Sequence, residues 1–106
     1  MPRRYRTQVN HSEGASSRRI RAEWIDTLER EGWFVTEWQD EPHTRYGTHA
    51  HADSEVRVVI KGSMAIVIDG VEHPLRAGDR FDVEPDVVHS AVVGPDGCTY
   101  LAGARR

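Results

Sequence analysis

Hydrophobic and polar positions follow a helical period in the first third of the chain. The apolar residues there are spaced four, one and three apart: Ile20, Trp24, Ile25 and Leu28. This spacing predicts one apolar stripe on an amphipathic helix within residues 16–32, with Ser16 or Ser17 as the N-cap and Gly32 as the stop. One short helix cannot bury its stripe alone, so we expect it to dock on the rest of the chain or on a partner chain.

The remainder of the chain has the pattern of short β-strands. Residues 33–38 are rich in aromatic and β-branched side chains, and Asp69-Gly70 between two apolar runs predicts a type I′ hairpin turn. Lys61-Gly62-Ser63 and Gly94-Pro95-Asp96-Gly97 predict two further turns between strands. About eight short strands separated by turns predict an all-β antiparallel barrel or sandwich over residues 33–103.

Composition places this barrel in a single globular domain. The 106 residues are 38% hydrophobic and 29% charged, which is typical of a folded protein that is neither disordered nor embedded in a membrane. No apolar window approaches the roughly 18 residues of a membrane helix, and no secretory pattern follows the basic N-terminus. The single cysteine, Cys98, fits a reducing compartment and is interpreted as a structural thiol beside a hairpin. We therefore expect a cytoplasmic protein without membrane contact.

The net charge of −3 divides unevenly along the chain. Residues 1–30 carry seven arginines and four acids, or +3, and residues 31–106 carry seven basic residues and thirteen acids, or −6. Residues 1–15 predict a flexible basic arm. The arginines are divided between this arm and the helix, without aromatic residues among them, so we expect no binding to nucleic acid.

Candidate chemistry is concentrated in His49-Ala50-His51-Ala52-Asp53-Ser54-Glu55. Residues two apart point to the same face of a strand, so His49 and His51 can present two imidazoles side by side, and Glu55 keeps that parity in a near-extended chain. Two imidazoles and a carboxylate with open positions suit iron, manganese, nickel, cobalt or zinc. The alternative interpretation is a pair of exposed strand residues without a ligand.

The surroundings of this segment resemble the two sequence motifs of the cupin superfamily. His49-x-His51, three residues, Glu55, six residues and Gly62 match the first motif from its first histidine onward. Gly78 and His89 match the second motif in spacing. The second motif departs from the family at three positions, where its Pro, Gly and Asn are replaced by Glu84, Asp86 and Val93.

The resemblance covers roughly residues 33–103 and implies a small single-domain cupin. It implies an antiparallel double-stranded β-helix, or jelly-roll barrel, with one divalent transition metal inside. It also implies that the metal ligands are His49, His51, Glu55 and His89. Two alternatives stay open. The chain could keep these ligands without holding a metal, or Glu55 could hydrogen-bond to a metal ligand instead of binding the metal itself.

Arg57 has the parity of Glu55 and is predicted to point into the barrel. There it would orient a substrate carboxylate or phosphate, or else pair with an acidic residue of the barrel. Glu55 is a second candidate catalytic group, as a base. Tyr46 and Tyr100 are expected to pack in the core or at the rim of the pocket.

Three functional hypotheses follow from the sequence. The first is a small-molecule metalloenzyme, either a dioxygenase-like oxidoreductase or an isomerase or decarboxylase that uses the metal as a Lewis acid. The second is a sensor that binds a small ligand, anionic or neutral, without turning it over, and the third is a barrel in which the metal is only structural. The apolar stripe of the helix and residues 33–38 would suit a homodimer contact, so a homodimer is predicted.

Overall fold

The computed structural model describes residues 3–5 and 14–106, and only the backbone of the first of these ranges. A short strand, β1 (Arg3–Tyr5), precedes one helix, α1 (Ala15–Arg30). Six strands follow: β2 (Phe34–Asp40), β3 (Arg45–His49), β4 (Ser54–Ile68), β5 (Val71–Arg76), β6 (Arg80–Val83) and β7 (His89–Arg105). Most of the predicted basic arm, residues 1–15, lies outside the described residues, and within it β1 pairs antiparallel with β2.

The long strands β4 and β7 form the centre of a seven-stranded sheet. They pair antiparallel from Ser54 opposite Arg105 to Val67 opposite Ser90. β6 and β5 pair with the first and second halves of β4. β3 and β2 pair with the first and second halves of β7. This arrangement confirms the predicted all-β antiparallel barrel with a short N-terminal helix.

Two of the predicted turns are wrong, because the strands bend there and continue. The chain passes through Lys61-Gly62-Ser63 within β4 and through Gly94-Pro95-Asp96-Gly97 within β7. The register of the β4–β7 ladder shifts on both sides of Gly62, as at a β-bulge. By contrast, the Asp69-Gly70 hairpin is confirmed, since both residues have the positive φ, 52° and 76°, that a type I′ turn requires.

The sheet buries one apolar core on each face. Inside the barrel the core residues are Val59, Met64, Ile66, Leu75, Ala91, Val93, Cys98 and Tyr100. The outer face carries Val56, Val58, Ile60 and Leu101, which pack with Leu28 and Trp33. Ile20, Trp24 and Ile25 pack against this second core, so the helix stripe is buried on the barrel of its own chain.

Polar contacts hold both ends of the helix to the sheet. The buried guanidinium of Arg21 donates to Glu37 of β2 at 2.8 Å. Near the other end, Glu31 accepts two hydrogen bonds from Arg80 of β6, at 2.8 and 2.9 Å. The predicted serine N-cap is wrong: the cap residue is Gly14, without a side-chain cap, and the helix begins at Ala15. Among the described residues no helix is long and apolar enough to cross a membrane.

Candidate metal centre

Three histidines meet at one end of the barrel. His49 and His89 are direct partners in the β3–β7 ladder, and their ring centroids are 4.3 Å apart. The His51 ring lies 4.8 Å from that of His49 and 5.9 Å from that of His89. One nitrogen from each ring can be chosen so that all three lie within 4.8 Å of one another.

The position of His51 differs from the strand parity predicted for it. β3 ends at His49, and His51 lies in the connection to β4. The backbone N–H of Asp86 donates to the carbonyl of His51 at 2.7 Å, which ties this connection to the loop between β6 and β7. A contact between two loops, rather than the alternation of one strand, therefore holds the second imidazole beside the first.

Backbone carbonyls set the protonation pattern of two of the rings. Nδ1 of His49 is 2.6 Å from the Gly47 carbonyl oxygen, and Nδ1 of His89 is 2.9 Å from that of Val87. A carbonyl oxygen only accepts, so each Nδ1 carries the hydrogen and each Nε2 of the neutral ring keeps its lone pair. Histidines that bind metals are commonly oriented in this way, by a second hydrogen bond to a backbone carbonyl.

The carboxylate of Glu55 lies near Nε2 of two of these rings, those of His51 and His89. Its Oε2 is 3.4 Å from Nε2 of His51, and its Oε1 is 3.9 Å from Nε2 of His89. Glu55 and His89 are buried, with side chains 11% and 4% exposed, whereas the His51 side chain is 45% exposed. Among the described residues the compact donor group is thus His49, His51 and His89, with Glu55 beside two of them, and it opens to solvent on the His51 side.

This donor set fits a divalent transition metal. Metal–nitrogen bonds are about 2.0–2.1 Å, so two nitrogens on opposite sides of one ion are about 4 Å apart. The largest separation among the three imidazole nitrogens is 4.8 Å, so the rings would move closer together on binding an ion. The carboxylate supplies a negative charge beside them. Imidazole and carboxylate donors are accepted by iron, manganese, nickel, cobalt and zinc, so the donor set does not select one of these metals.

Arg57 points into the barrel as its parity predicts, and it also pairs with an acid of the barrel. Its Nη2 donates to Glu55 Oε1 at 3.3 Å, and its Nη1 donates to the Val56 carbonyl at 3.1 Å. A guanidinium has five N–H donors, so three of them remain for other partners. The two alternatives stated for this residue are therefore compatible: it pairs with Glu55 and still has donors to offer an anion.

Two adjoining cavities lie near this site, one beside the histidines and one beside Glu55. The smaller, of about 50 Å³, is lined by His49 and His89 among others. The larger, of about 240 Å³, borders Glu55 and is walled mainly by apolar groups, including Phe34, Trp38, Ala102 and Ala104. Tyr46, Arg57 and Tyr100 line both cavities. We call the larger cavity, with these lining residues, the side chamber.

Sequence reasoning missed Asp40, at the end of β2. Its Oδ2 accepts hydrogen bonds from the hydroxyls of Tyr46 at 2.6 Å and Tyr100 at 3.0 Å. Burial and the neighbouring carboxylate raise the pKa of both phenols. The two tyrosines predicted as packing residues thus form a polar cluster with a buried acid. Asp40 follows Trp38 by two residues on β2, so both side chains lie on the same face of the strand. This spacing is the sequence signal that Asp40 faces inward.

Cys98 is a buried structural thiol in this fold. It lies in the inner core, and burial raises its pKa to about 12. A thiol with this pKa is protonated at neutral pH and is a poor nucleophile.

Comparisons with known proteins agree with this fold. Residues 36–101 match the family described as Cupin domain. The crystal structure of an RmlC-like cupin from Shewanella frigidimarina is 30% identical, with a TM-score of 0.60, over 70% of this chain and 67% of that one. The polyketide cyclase RemF from Streptomyces resistomycificus is 25% identical, with a TM-score of 0.62, over 69% of this chain and 54% of that one.

A curated relative shares a shorter segment. Dimethylsulfoniopropionate lyase DddW from Ruegeria pomeroyi is 36% identical over 55 residues, or 52% of this chain. The match spans only 36% of the length of that lyase.

Proposed function

Because the chain belongs to the Cupin domain family, we propose that it is a small-molecule metalloenzyme whose divalent transition metal is held by His49, His51, Glu55 and His89. The observation that carries the proposal is the arrangement of the imidazoles. Two backbone carbonyls accept from Nδ1 of His49 and His89, and the Glu55 carboxylate lies 3.4 Å from Nε2 of His51 and 3.9 Å from Nε2 of His89. This arrangement brings three imidazoles together and places one carboxylate beside two of them.

Each group of the chain has a distinct role in this proposal. A bound metal would supply Lewis-acid polarisation of a substrate oxygen. Arg57 would bind an anionic group of the substrate, because three of its N–H donors point to no acceptor within the described residues. Its ion pair with Glu55 would fix that guanidinium beside the metal ligands. The side chamber would hold the apolar part of the substrate away from water.

Redox-neutral chemistry is the favoured reaction class. The curated relative is named as a lyase and one structural neighbour as a polyketide cyclase, and neither name implies consumption of O₂. Elimination, isomerisation and decarboxylation all use a polarised oxygen, which the metal would supply, and elimination and isomerisation also need a base, a role that Glu55 would fill when it is released from the metal. A dioxygenase remains a different prediction, distinguished by O₂ consumption on addition of a substrate.

Metal uptake is the direct test of the proposal. We expect the purified 106-residue chain to bind close to one equivalent of Zn²⁺ or Co²⁺ in isothermal titration, with confirmation by elemental analysis after gel filtration. His89→Ala removes a buried ligand and is expected to weaken binding at least about 100-fold, since it deletes a direct ligand and such a loss exceeds that of an outer partner.

His43→Asn is the matched control for this test. His43 is an exposed histidine with φ of 64°, a conformation that asparagine tolerates, and it is not part of the histidine cluster. Its removal should leave the stoichiometry and affinity unchanged. Equal affinities for the wild type and His89→Ala, or a wild type that takes up no metal, would overturn the proposal.

The homodimer and the cytoplasmic location stay predictions. The helix stripe that suggested a dimer contact is packed on the barrel of its own chain. The exposed side chain of Phe34, at the mouth of the side chamber, is the apolar group that a second copy would cover. Sedimentation of the wild type and of Phe34→Ser would test that contact.

A further inference from the structure

The cluster of Asp40, Tyr46 and Tyr100 contains more hydrogen-bond acceptors than donors. Both hydroxyls lie within hydrogen-bond distance of Asp40 Oδ2, and the two phenol oxygens are 3.2 Å apart. An ionised carboxylate only accepts, so both phenolic protons are used inside the cluster. The other oxygen of Asp40, Oδ1, is buried and has no hydrogen-bond partner among the described residues.

This shortage of donors is unusual for a buried site. Buried polar atoms are nearly always paired, and those that are not call for an explanation such as a bound group. Asp40 and Tyr100 are each 4% exposed, so bulk water does not reach them freely. The pKa values of both phenols are raised, which keeps their protons in place and leaves their oxygens as acceptors.

The two tyrosines of the cluster border the side chamber, whereas Asp40 lies behind them and is not part of its lining. Tyr46, Tyr100 and Arg57 line that chamber together. Arg57 has only donors to offer, and the phenol oxygens can only accept. Thr36 and Trp38, which also line it, use their polar atoms on each other at 2.9 Å. The chamber therefore presents an anion site, a site for a hydrogen-bond donor, and apolar walls.

We propose that the substrate of this enzyme is a small carboxylate that carries a hydroxyl or ammonium group and an apolar body, with the carboxylate on Arg57 and the donor on Tyr46. The inference rests on the proposed function, because the side chamber adjoins the metal ligands. A chamber of about 240 Å³ is smaller than the pockets of drug-sized ligands, which fits a compact molecule. Tyr46 is the accessible member of the pair, since Tyr100 is buried.

A matched set of probes tests the donor requirement. Mandelate carries the carboxylate, the hydroxyl and an aromatic body; O-methylmandelate lacks the hydroxyl proton; phenylacetate lacks the oxygen; phenylglycine replaces the hydroxyl by ammonium. We expect mandelate or phenylglycine to bind the zinc-loaded chain about tenfold more tightly than O-methylmandelate and phenylacetate, the value of one well-formed buried hydrogen bond. Isothermal titration measures the affinity of all four probes. If mandelate binds more tightly than phenylglycine the donor is a hydroxyl, and in the reverse case it is an ammonium group.

Tyr46→Phe separates this hydrogen bond from chelation of the metal by the hydroxyl. The variant keeps the ring and the Tyr100–Asp40 bond, so the tenfold preference should fall below about threefold while phenylacetate affinity stays unchanged. The preference should also persist in wild-type protein stripped of metal, a measurement that does not depend on the folding of the variant. A preference that survives Tyr46→Phe, or vanishes with the metal, arises from chelation and overturns the inference.

The outcomes also separate this inference from the proposed function. A chain that takes up zinc but binds all four probes equally retains the metal centre and loses the substrate class. A chain that takes up no zinc loses the metalloenzyme proposal, whereas a mandelate preference in that metal-free chain would still support the donor site.

Discussion

At the scale of single residues, the candidate metal centre depends on hydrogen bonds that leave the right atoms free. The carbonyl oxygens of Gly47 and Val87 accept hydrogen bonds from Nδ1 of His49 and His89. Nε2 is therefore the atom of each ring that is left to bind a metal. An imidazole fixed in this way loses little side-chain entropy when it binds an ion, because its orientation is already set. The same two-residue step, from carbonyl to histidine, recurs at both residues, within β3 for His49 and across the start of β7 for His89.

Gly62 is the residue at which the barrel is most sensitive to an added methyl group. Its φ is +82°, and a Cβ built there would clash with the carbonyl oxygen of Gly97, which is fixed in β7. Gly62→Ala therefore combines a left-handed backbone penalty with a clash against main chain. We expect a loss of at least about 3 kcal/mol in the free energy of unfolding, measured by urea denaturation.

Gly78→Ala is the control that separates backbone strain from the clash. Gly78 has a φ of +92°, and an added Cβ would meet no atom within 4 Å. Its replacement should therefore cost only the left-handed penalty, about 1–2 kcal/mol. Equal losses of unfolding free energy for the two variants would show that the clash with Gly97 adds nothing to the cost of Gly62→Ala.

At the scale of elements, the bends of β4 and β7 give each strand two sets of partners. The bulge at Gly62 separates the half of β4 that carries Glu55 and Arg57 from the half that carries Met64 and Ile66. Both halves line the same interior, since Arg57, Met64 and Ile66 border one cavity. A straight strand of this length would extend past the site instead of wrapping around it.

The contact between the helix end and β6 makes stability depend on pH at the acidic end of the range. Arg80 and the indole N–H of Trp33 hold the pKa of Glu31 at about 2, below its ordinary value of 4.5. A carboxyl with a depressed folded-state pKa stabilises the fold fully above the unfolded pKa and loses that contribution as pH falls through the folded one. The contribution is therefore present above about pH 5 and declines toward pH 2.

Glu31→Gln isolates this contribution from the other carboxylates. The amide keeps the shape and an acceptor for Trp33 but removes the charge that faces Arg80. We expect the wild type to be more stable than the variant at pH 6, and the difference to shrink steadily as pH falls toward 2.5, in thermal or urea unfolding. Because the pair is exposed, 0.5 M salt should also reduce the difference. A difference independent of pH would contradict the assigned ion pair.

At the scale of the whole molecule, stability and the candidate site are carried by different residues. The inner core and the helix–sheet core contain none of the four predicted metal ligands. Removal of the metal should therefore leave the barrel folded, unlike small domains that depend on a structural ion. The third hypothesis from the sequence, a metal that serves only as a structural support, predicts the opposite.

Chelation provides the measurement. At free metal about 100 times the dissociation constant, binding adds about 2.7 kcal/mol to the free energy of unfolding, which corresponds to a rise in Tm of roughly 10–20 °C for a domain of this size. Addition of EDTA should reverse that rise while the far-UV circular dichroism and the cooperative transition persist. Loss of the β-sheet signal on chelation at 25 °C would identify the metal as a structural support.

Local pattern was sufficient for the helix, through its apolar stripe, and for the hairpin at Asp69-Gly70. The His-x-His segment drew attention to two of the three histidines that the fold brings together. Pattern failed where Gly62 and Gly97 interrupt apolar runs, because a glycine at a bulge and a glycine in a turn have the same local signature. The helix cap was wrong for a similar reason, since a serine near a helix start can cap it or simply lie in its first turn.

The sequence by itself determined the alternation of apolar and polar positions, and with it the two faces of the sheet and the stripe of the helix. Only the tertiary structure decided which side chains meet across the chain. His51 is held beside His49 by the loop that contains Asp86, and Asp40 reaches Tyr100 across sixty positions. Periodicity records which face a residue occupies, whereas the partner it meets on that face depends on register and on where the strands bend.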